Sequence, residues 1–367
     1  MRVQLVIMPS GVKSATLLDE GVVVESVERF LAHLTIIERS PNTVRSYAHD
    51  LKDFFMYLEH RNLNWTSVTL EDLGRFVAWL RLPSNLRSKD VIMLPWVNVS
   101  LSPSSVNRKL SALASFYEFH HRNGIAVGDL LTRWRPGARG GSWKPFLAHL
   151  GSRPERQRVL GLHQDKRVPR ELSIEEITIL IDGCDHLRDR FLLTLLWQTG
   201  MRIGEALGLR HEDIDARRCE VTIRQRLNLN GARAKSWSRQ IPVPPTLIRL
   251  YSDYLHSEYG DLDSDYVFVN LWGKPLYQPM SYSSVDRLVH QLRTRVGIEF
   301  TPHYFRHSYA TNLLRRSVAP EVVQKLLGHA SITTTIDTYS HLDIEDARHA
   351  LVVAGVLKDG QPEGLTK

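Results

Sequence analysis

The chain has 367 residues, of which 43% are hydrophobic and 24% charged, with eight Trp, so it can bury a sizeable core and is not a disordered tail protein. Two cysteines, Cys184 and Cys219, exclude a disulfide framework, and the lack of both a secretory apolar region and a bilayer-length apolar run points to a reducing cytoplasm without membrane insertion. Net charge is +7 and unevenly spread: residues 1–164 carry 21 Lys and Arg against 14 Asp and Glu, whereas the remainder is balanced, a distribution suited to a polyanion clamp or, more plainly, a solvated basic surface.

About 25 residues precede the first periodic segment. Val27, Phe30, Leu31 and Leu34 recur at helical spacing from Ser26, and Ser40-Pro41-Asn42-Thr43 then breaks the helix and caps the next, with Val44, Tyr47, Leu51, Phe54, Phe55 and Leu58 inward. Thr69 with Asp72 three residues on reads as a capping box for a helix carrying Leu73, Phe76, Val77 and Leu80. Residues 83–101 have no sustained period. Ser102-Pro103 opens a further helix with Val106, Leu110, Leu113 and Tyr117 on one side and Arg108, Lys109 and Arg122 on the other. These segments predict a bundle of about four helices over residues 25–131, after an N-terminal extension of residues 1–24.

From Thr132 to Arg170 the composition turns to Arg, Gly and Pro, with Arg133 and Arg135 at its start, and predicts a basic interdomain linker. A second domain, residues 171–350, opens at Ser173 with Glu176 one turn on and is expected to stay helical through Phe191 to Trp197. Cys219–Arg226 alternates and Arg239–Val243 returns, as in a hairpin, and Tyr266–Val269 reads as a short strand. Ser283–Arg295, His303–Arg315, Pro320–Leu327 and Asp343–Val353 read as helices, with residues 351–367 a tail. The expected class is mainly α with a small β component.

Four fragments of this second domain carry chemistry. Thr199-Gly200-Met201-Arg202-Ile203-Gly204-Glu205 stops one helix at Gly200 and starts another at Arg202, with Glu205 placed for an i, i+3 ion pair. Thr301-Pro302-His303-Tyr304-Phe305-Arg306-His307 puts two histidines and an arginine on one helical face. Leu326-Leu327-Gly328-His329 sets a histidine just past a helix end, and Ser331–His341 holds Tyr339 in a Thr-rich stretch. His303, His307, His329 and His341 could be read as zinc ligands, but Arg306 among them disfavours a cation. Arginines that grip non-bridging oxygens, imidazoles that donate to the same phosphate and a phenol that attacks are, together, what phosphodiester cleavage without a metal demands.

In order, spacing and flanking words these fragments resemble the tyrosine recombinases, also called the phage integrase family, and Ser40-Pro41-Asn42-Thr43 with Ser105–Leu110 is similar to that family's core-binding domain. The resemblance spans roughly residues 25–345. It implies a helical, SAM-like core-binding domain and a catalytic domain closing as a C-shaped clamp on duplex DNA. It also implies site-specific cutting and rejoining through a 3′-phosphotyrosyl intermediate, with no cofactor, metal or ATP. Carried over, Tyr339 is the nucleophile, Arg202 and Arg306 neutralise the phosphate, His329 donates to it, His303 takes the phenolic proton and Lys235, between the hairpin strands, protonates the leaving 5′-oxygen. Glu205 is expected to orient an arginine or histidine. Arg45, Arg108, Lys109, Arg133, Arg135, Arg233 and Arg239 are expected to contact DNA.

The implied partners are a duplex with inverted half-sites and, in the synapse, four copies of the chain, monomeric or dimeric when free and nucleoid-associated in the cytoplasm. The short leading segment favours an Xer-type or transposon-encoded enzyme over integrases with an arm-binding domain, and the long insertion and linker favour the transposon type. A type IB topoisomerase would share the attack chemistry but act as a monomer without site preference. A non-catalytic DNA-binding protein would be expected to lack a reacting group. A metal-dependent nuclease would have only Asp261, Asp263 and Asp265 as a tight acidic cluster, in a turn where solvated loop acids are expected.

Overall fold

The structure, a computed structural model, describes residues 1–7, 13–83, 86–87, 101–127, 132–135, 155–158, 160–163, 170–234 and 236–328. The chain divides into two compact units, Met1–Lys166 and Arg167–Lys367. Among the described residues no helix is long and apolar enough to cross a membrane.

The first unit begins with strands β1 (Arg2–Ile7), β2 (Lys13–Asp19) and β3 (Val22–Val23), paired antiparallel in that order with Val3 opposite Leu17. The segment expected as an extension is therefore part of this unit's core, through Ala15 and Leu17. Its strands were not predicted because β2 is buried on both faces, which removes the period-2 alternation. The polar residues on it are satisfied by the following helix: Thr16 Oγ1 donates to Glu28 at 2.5 Å, and the Ser14 and Thr35 hydroxyls lie 3.1 Å apart.

Helices α1 (Glu25–Ile36), α2 (Pro41–Arg61), α3 (Leu70–Arg81) and α4 (Pro103–Arg122) form the expected bundle. Ser40, Thr69 and Ser102 each accept a backbone N–H at their helix starts, contributing about 1 kcal/mol apiece, and Thr69 and Asp72 complete a reciprocal capping box. Aromatic rings fill the interior, with Phe116 edge-on to Phe30 and Phe55. In the region expected as linker, β4 (Thr132–Arg135) pairs antiparallel with β5 (Glu155–Arg158). Leu162 is then tied back to α4 by Asn107, whose side chain exchanges two 2.8 Å hydrogen bonds with the Leu162 backbone.

In the second unit the helical stretch expected from Ser173 through Trp197 is made of two helices, α5 (Ile174–Asp182) and α6 (Leu187–Thr199). The break falls at Gly183, and Glu258 restarts the helix by accepting the Leu187 and Arg188 backbone N–H groups at 2.9 Å each. Phe191, Leu192, Leu193, Leu195 and Leu196 bury α6 on nearly all sides, making it the axis of this unit. The short helix α7 (Ile203–Ala206) follows, then a three-stranded antiparallel sheet of β6 (Ile214–Asp215), β7 (Glu220–Ile223) and β8 (Arg239–Pro242), with Val221 opposite Ile241.

Helices α8 (Pro245–Tyr254), α9 (Tyr282–Val296), α10 (Pro302–Arg315) and α11 (Pro320–Leu327) complete the unit. Tyr266–Val269 makes isolated bridges, Arg210 to Tyr266 and Val269 to Pro279, instead of a strand ladder. Its apolar run reflects burial of all four residues in the core. The predicted helix Asp343–Val353 lies outside the described residues.

Candidate active site

The site is built on the turn between α6 and α7. Gly200 ends α6 in the left-handed conformation (φ +60°), and a Cβ there would lie 2.3 Å from Tyr309 Cδ1 and 2.9 Å from Leu327 Cδ2. With no Cβ in the way, α10 and α11 close against the turn, and Arg306 donates Nη1 to the Gly200 carbonyl (2.8 Å) and Nη2 to the Leu327 carbonyl (2.9 Å). Arg306 is only 2% exposed. Two residues after Gly200, Arg202 stands at the start of α7, and its backbone N–H donates to Glu205 Oε2 at 2.9 Å while Nη1 reaches Oε1 at 3.2 Å. The i, i+3 pair expected from sequence is thus present, and Arg202 remains partly exposed.

Glu205 is wholly buried at its side chain and takes more than Arg202. Oε1 accepts from Ser236 Oγ at 2.6 Å and from Arg239 Nη1 at 3.2 Å, and Oε2 accepts from Arg239 Nη2 at 2.8 Å. Burial alone would raise its pKa; the Arg239 hydrogen bond and charge, with help from Ser236 and the Arg202 backbone, outweigh that and hold the carboxyl at about 2. It stays ionised through the neutral range and carries negative charge under two arginines.

On α10, His303 is exposed at the surface and meets His307 edge-to-face, with ring centroids 4.4 Å apart. Desolvation and the charges of Arg306 and Arg202 lower the His303 pKa, so its imidazole is neutral at pH 7. Burial and the neighbouring His303 and Arg306 push His307 down to about 4. The predicted site residues Lys235, His329 and Tyr339 lie outside the described residues.

Among the described residues no three His, Cys, Asp or Glu side chains assemble as a metal-ligand group. Asp261, Asp263 and Asp265 are exposed, and Asp265 is engaged by Arg210 at 2.9 Å.

Two arginine and lysine expectations need correction. Arg239, expected on DNA, has its side chain 8% exposed: besides Glu205 it holds Ser236 Oγ (2.6 Å from Nη1) and the Leu326 carbonyl (2.7 Å from Nε). Lys109, likewise expected on DNA, is 9% exposed and donates to Asp50 (3.1 Å) and Asp53 (2.7 Å) on α2. Both were misread because a buried carboxylate elsewhere in the chain recruits the cation, and no local pattern shows it. Arg108 also reaches Asp50, at 2.5 Å, while staying half exposed; Arg45 is exposed and Arg233 half-buried. Arg133 and Arg135 lie on β4, their side chains outside the described residues.

Sequence reasoning missed Ser236 and the internal role of Arg239. The available signal was Glu205 itself, a lone acid in the apolar stretch Ile203–Leu209, which needed a distant cation.

Residues 27–124 match the phage integrase N-terminal SAM-like domain, and residues 170–346 match the phage integrase family. The chain is 36% identical over 338 residues to transposase A from transposon Tn554 of Staphylococcus aureus, across 91% of this chain and 92% of that one. It is 28% identical to tyrosine recombinase XerA of Pyrococcus furiosus, across 91% and 96%. This chain belongs to the phage integrase family. In solved structures its fold is similar to that of the Tn1549 transposon integrase in complex with a circular intermediate DNA, with a TM-score of 0.59 at 15% identity over 90% of this chain and 99% of that one.

As a tyrosine recombinase the chain is an enzyme of DNA breaking and rejoining, and DNA is its partner. The family assignment also fixes the two units: a SAM-like helical domain, here extended by the β1–β3 sheet, and a catalytic domain organised around α6.

Proposed function

We propose that this tyrosine recombinase moves a transposon-type element, cutting and rejoining DNA through a 3′-phosphotyrosyl intermediate. The near full-length similarity to the Tn554 transposase supports the mobile-element role. The observation that carries the residue roles is the α6–α7 turn, which ties Arg202, Arg306 and, through their charges, His303 to one locus.

In this reading Tyr339 Oη attacks the scissile phosphorus, the bond to the 5′-oxygen breaks, and the phosphodiester energy is kept in the tyrosyl link, so rejoining needs no ATP. Tyrosine's ordinary pKa is about 10, so its proton must leave as the bond forms. His303 takes it, being neutral and at the surface. Arg202 stabilises the charge growing on the pentacoordinate phosphate, Arg306 adds its positive charge from beneath the Gly200 and Leu327 carbonyls that it holds, His329 donates to the phosphate oxygens, and Lys235 protonates the departing 5′-oxygen, a task arginine cannot perform because it does not give up its proton. No metal takes part.

Both domains bind the duplex, at inverted half-sites. Exchange between two duplexes needs four copies. The reaction belongs in the cytoplasm, at the nucleoid.

The deciding test expresses the full chain in cells beside its flanking DNA, sequences the joints formed, and builds duplexes from them. On these the protein should form a denaturant-resistant adduct at the 3′-phosphate, in the presence of EDTA, that disappears in Tyr339→Phe. An adduct that persists in that variant would move the nucleophile to another residue.

A further inference from the structure

Arg239 sits where three parts of the catalytic domain meet. Its fork holds Glu205, which in turn holds Arg202 at the start of α7. Its Nη1 also holds Ser236 Oγ at 2.6 Å, in the segment between β7 and β8 and one residue from Lys235. Its Nε holds the carbonyl of Leu326, in the last turn of α11, at 2.7 Å.

The packing is equally close. A Cβ on Gly328, the residue before His329, would lie 2.7 Å from Arg239 Nη1 and 2.8 Å from Ser236 Cβ, so both side chains rest directly on that backbone. Gly328 is left-handed at φ +67°. Glycine is required there both by the conformation and by the approach of the guanidinium.

A guanidinium suits this place because its donors are fixed in one plane and cannot lose their proton. A single rigid group can therefore set three backbones in register. An ammonium, a point charge on a flexible stem, could neutralise Glu205 without fixing the other two.

We infer that Arg239 is a positioning residue for strand cleavage: anchored on Glu205, it fixes through Ser236 the hairpin segment beside Lys235 and through Leu326 the turn into His329. The inference rests on the roles given above to Lys235 and His329. It assigns Arg239 to the interior of the catalytic domain and away from the DNA backbone.

The test uses the full chain and two duplexes built from the sequenced joint, one with the natural 5′-oxygen at the cleavage position and one with sulfur, a leaving group that needs no proton. Single-turnover cleavage, DNA affinity and its salt slope are measured for wild type, Arg239→Lys, Ser236→Ala and Lys235→Ala. Arg239→Lys should cleave the oxygen duplex at least tenfold more slowly and recover part of that loss on sulfur, with DNA affinity and salt slope unchanged. Ser236→Ala, a smaller excision that keeps the Glu205–Arg239 pair, should lose less and recover more completely on sulfur.

Unchanged oxygen-duplex rates in both variants would overturn the inference, as would equal losses on both duplexes. So would a salt slope lowered by about one, which would mark Arg239 as a phosphate contact. A Lys235→Ala loss that sulfur fails to rescue would instead overturn the assignment of the acid, and the two failures are told apart by that control.

Discussion

Arg306 and Gly200 are joined by a 2.8 Å hydrogen bond from Nη1 to the carbonyl, and this bond ties the middle of the catalytic domain's α10 to the turn that presents Arg202. It exists because Gly200 is left-handed and lets Tyr309 and Leu327 approach to distances that a side chain would forbid. Gly200→Ala should therefore cost about 2–4 kcal/mol, combining left-handed strain with overpacking, and should lower cleavage further by displacing Arg202. Urea unfolding midpoints of the two proteins check the first part, and single-turnover cleavage at a temperature where both are folded checks the second. A variant as stable as wild type would show that the turn adapts.

Removing the reacting groups should separate chemistry from binding. Tyr339→Phe loses one oxygen and should abolish the covalent adduct with DNA affinity nearly intact. Arg202→Ala should slow cleavage by about 10²–10³, the scale of deleting a preorganised donor to a developing charge. Gel-shift affinity measured beside adduct formation distinguishes the two: equal losses of both in Arg202→Ala would assign that arginine to ground-state binding.

The basic residues of the SAM-like domain should sort by their partners. Lys109→Met leaves Asp50 with Arg108 alone and Asp53 without its ammonium and should cost about 1–3 kcal/mol of stability, with no change in the salt slope of DNA binding. Arg45→Ala, at an exposed position of α2, should do the reverse: stability unchanged, and a slope reduced by about one. Titrations of duplex binding between 50 and 200 mM salt, with thermal melts alongside, check both; a slope change in Lys109→Met would return that lysine to the DNA face.

These two residues also show what the sequence can and cannot reveal. The helix starts at Ser40, Thr69, Ser102 and Ser173 were readable because a cap is completed within three residues of itself. The Arg202–Glu205 pair was readable for a related reason, since its two members are one helical turn apart. Lys109 and Arg239 were not, because what decides whether a cation faces solvent is a carboxylate tens of residues away: Asp50 on α2 for one, Glu205 on α7 for the other. β2 was hidden differently, by burial on both faces, which erases the alternation that marks a half-exposed strand.

Two groups in the catalytic domain set the acid limit of stability in separate windows. His307 has its pKa lowered to about 4, against 6.5 when unfolded, so the unfolded chain binds more protons between those values and stability falls as pH drops from 6.5 toward 4. Glu205, held at about 2 against 4.5, contributes stability that is complete above 4.5 and is lost between 4.5 and 2. His307→Gln should therefore flatten the upper window alone, by about 1–2 kcal/mol given partial solvent screening. His303 and His211 have pKa values lowered in the same direction, so the slope should shrink without vanishing. Urea midpoints at pH 7, 6, 5 and 4.5 measure it. If wild type and His307→Gln lose stability in parallel across that range, the destabilising protons are being taken up elsewhere, and the lowered His307 pKa is not what limits the fold.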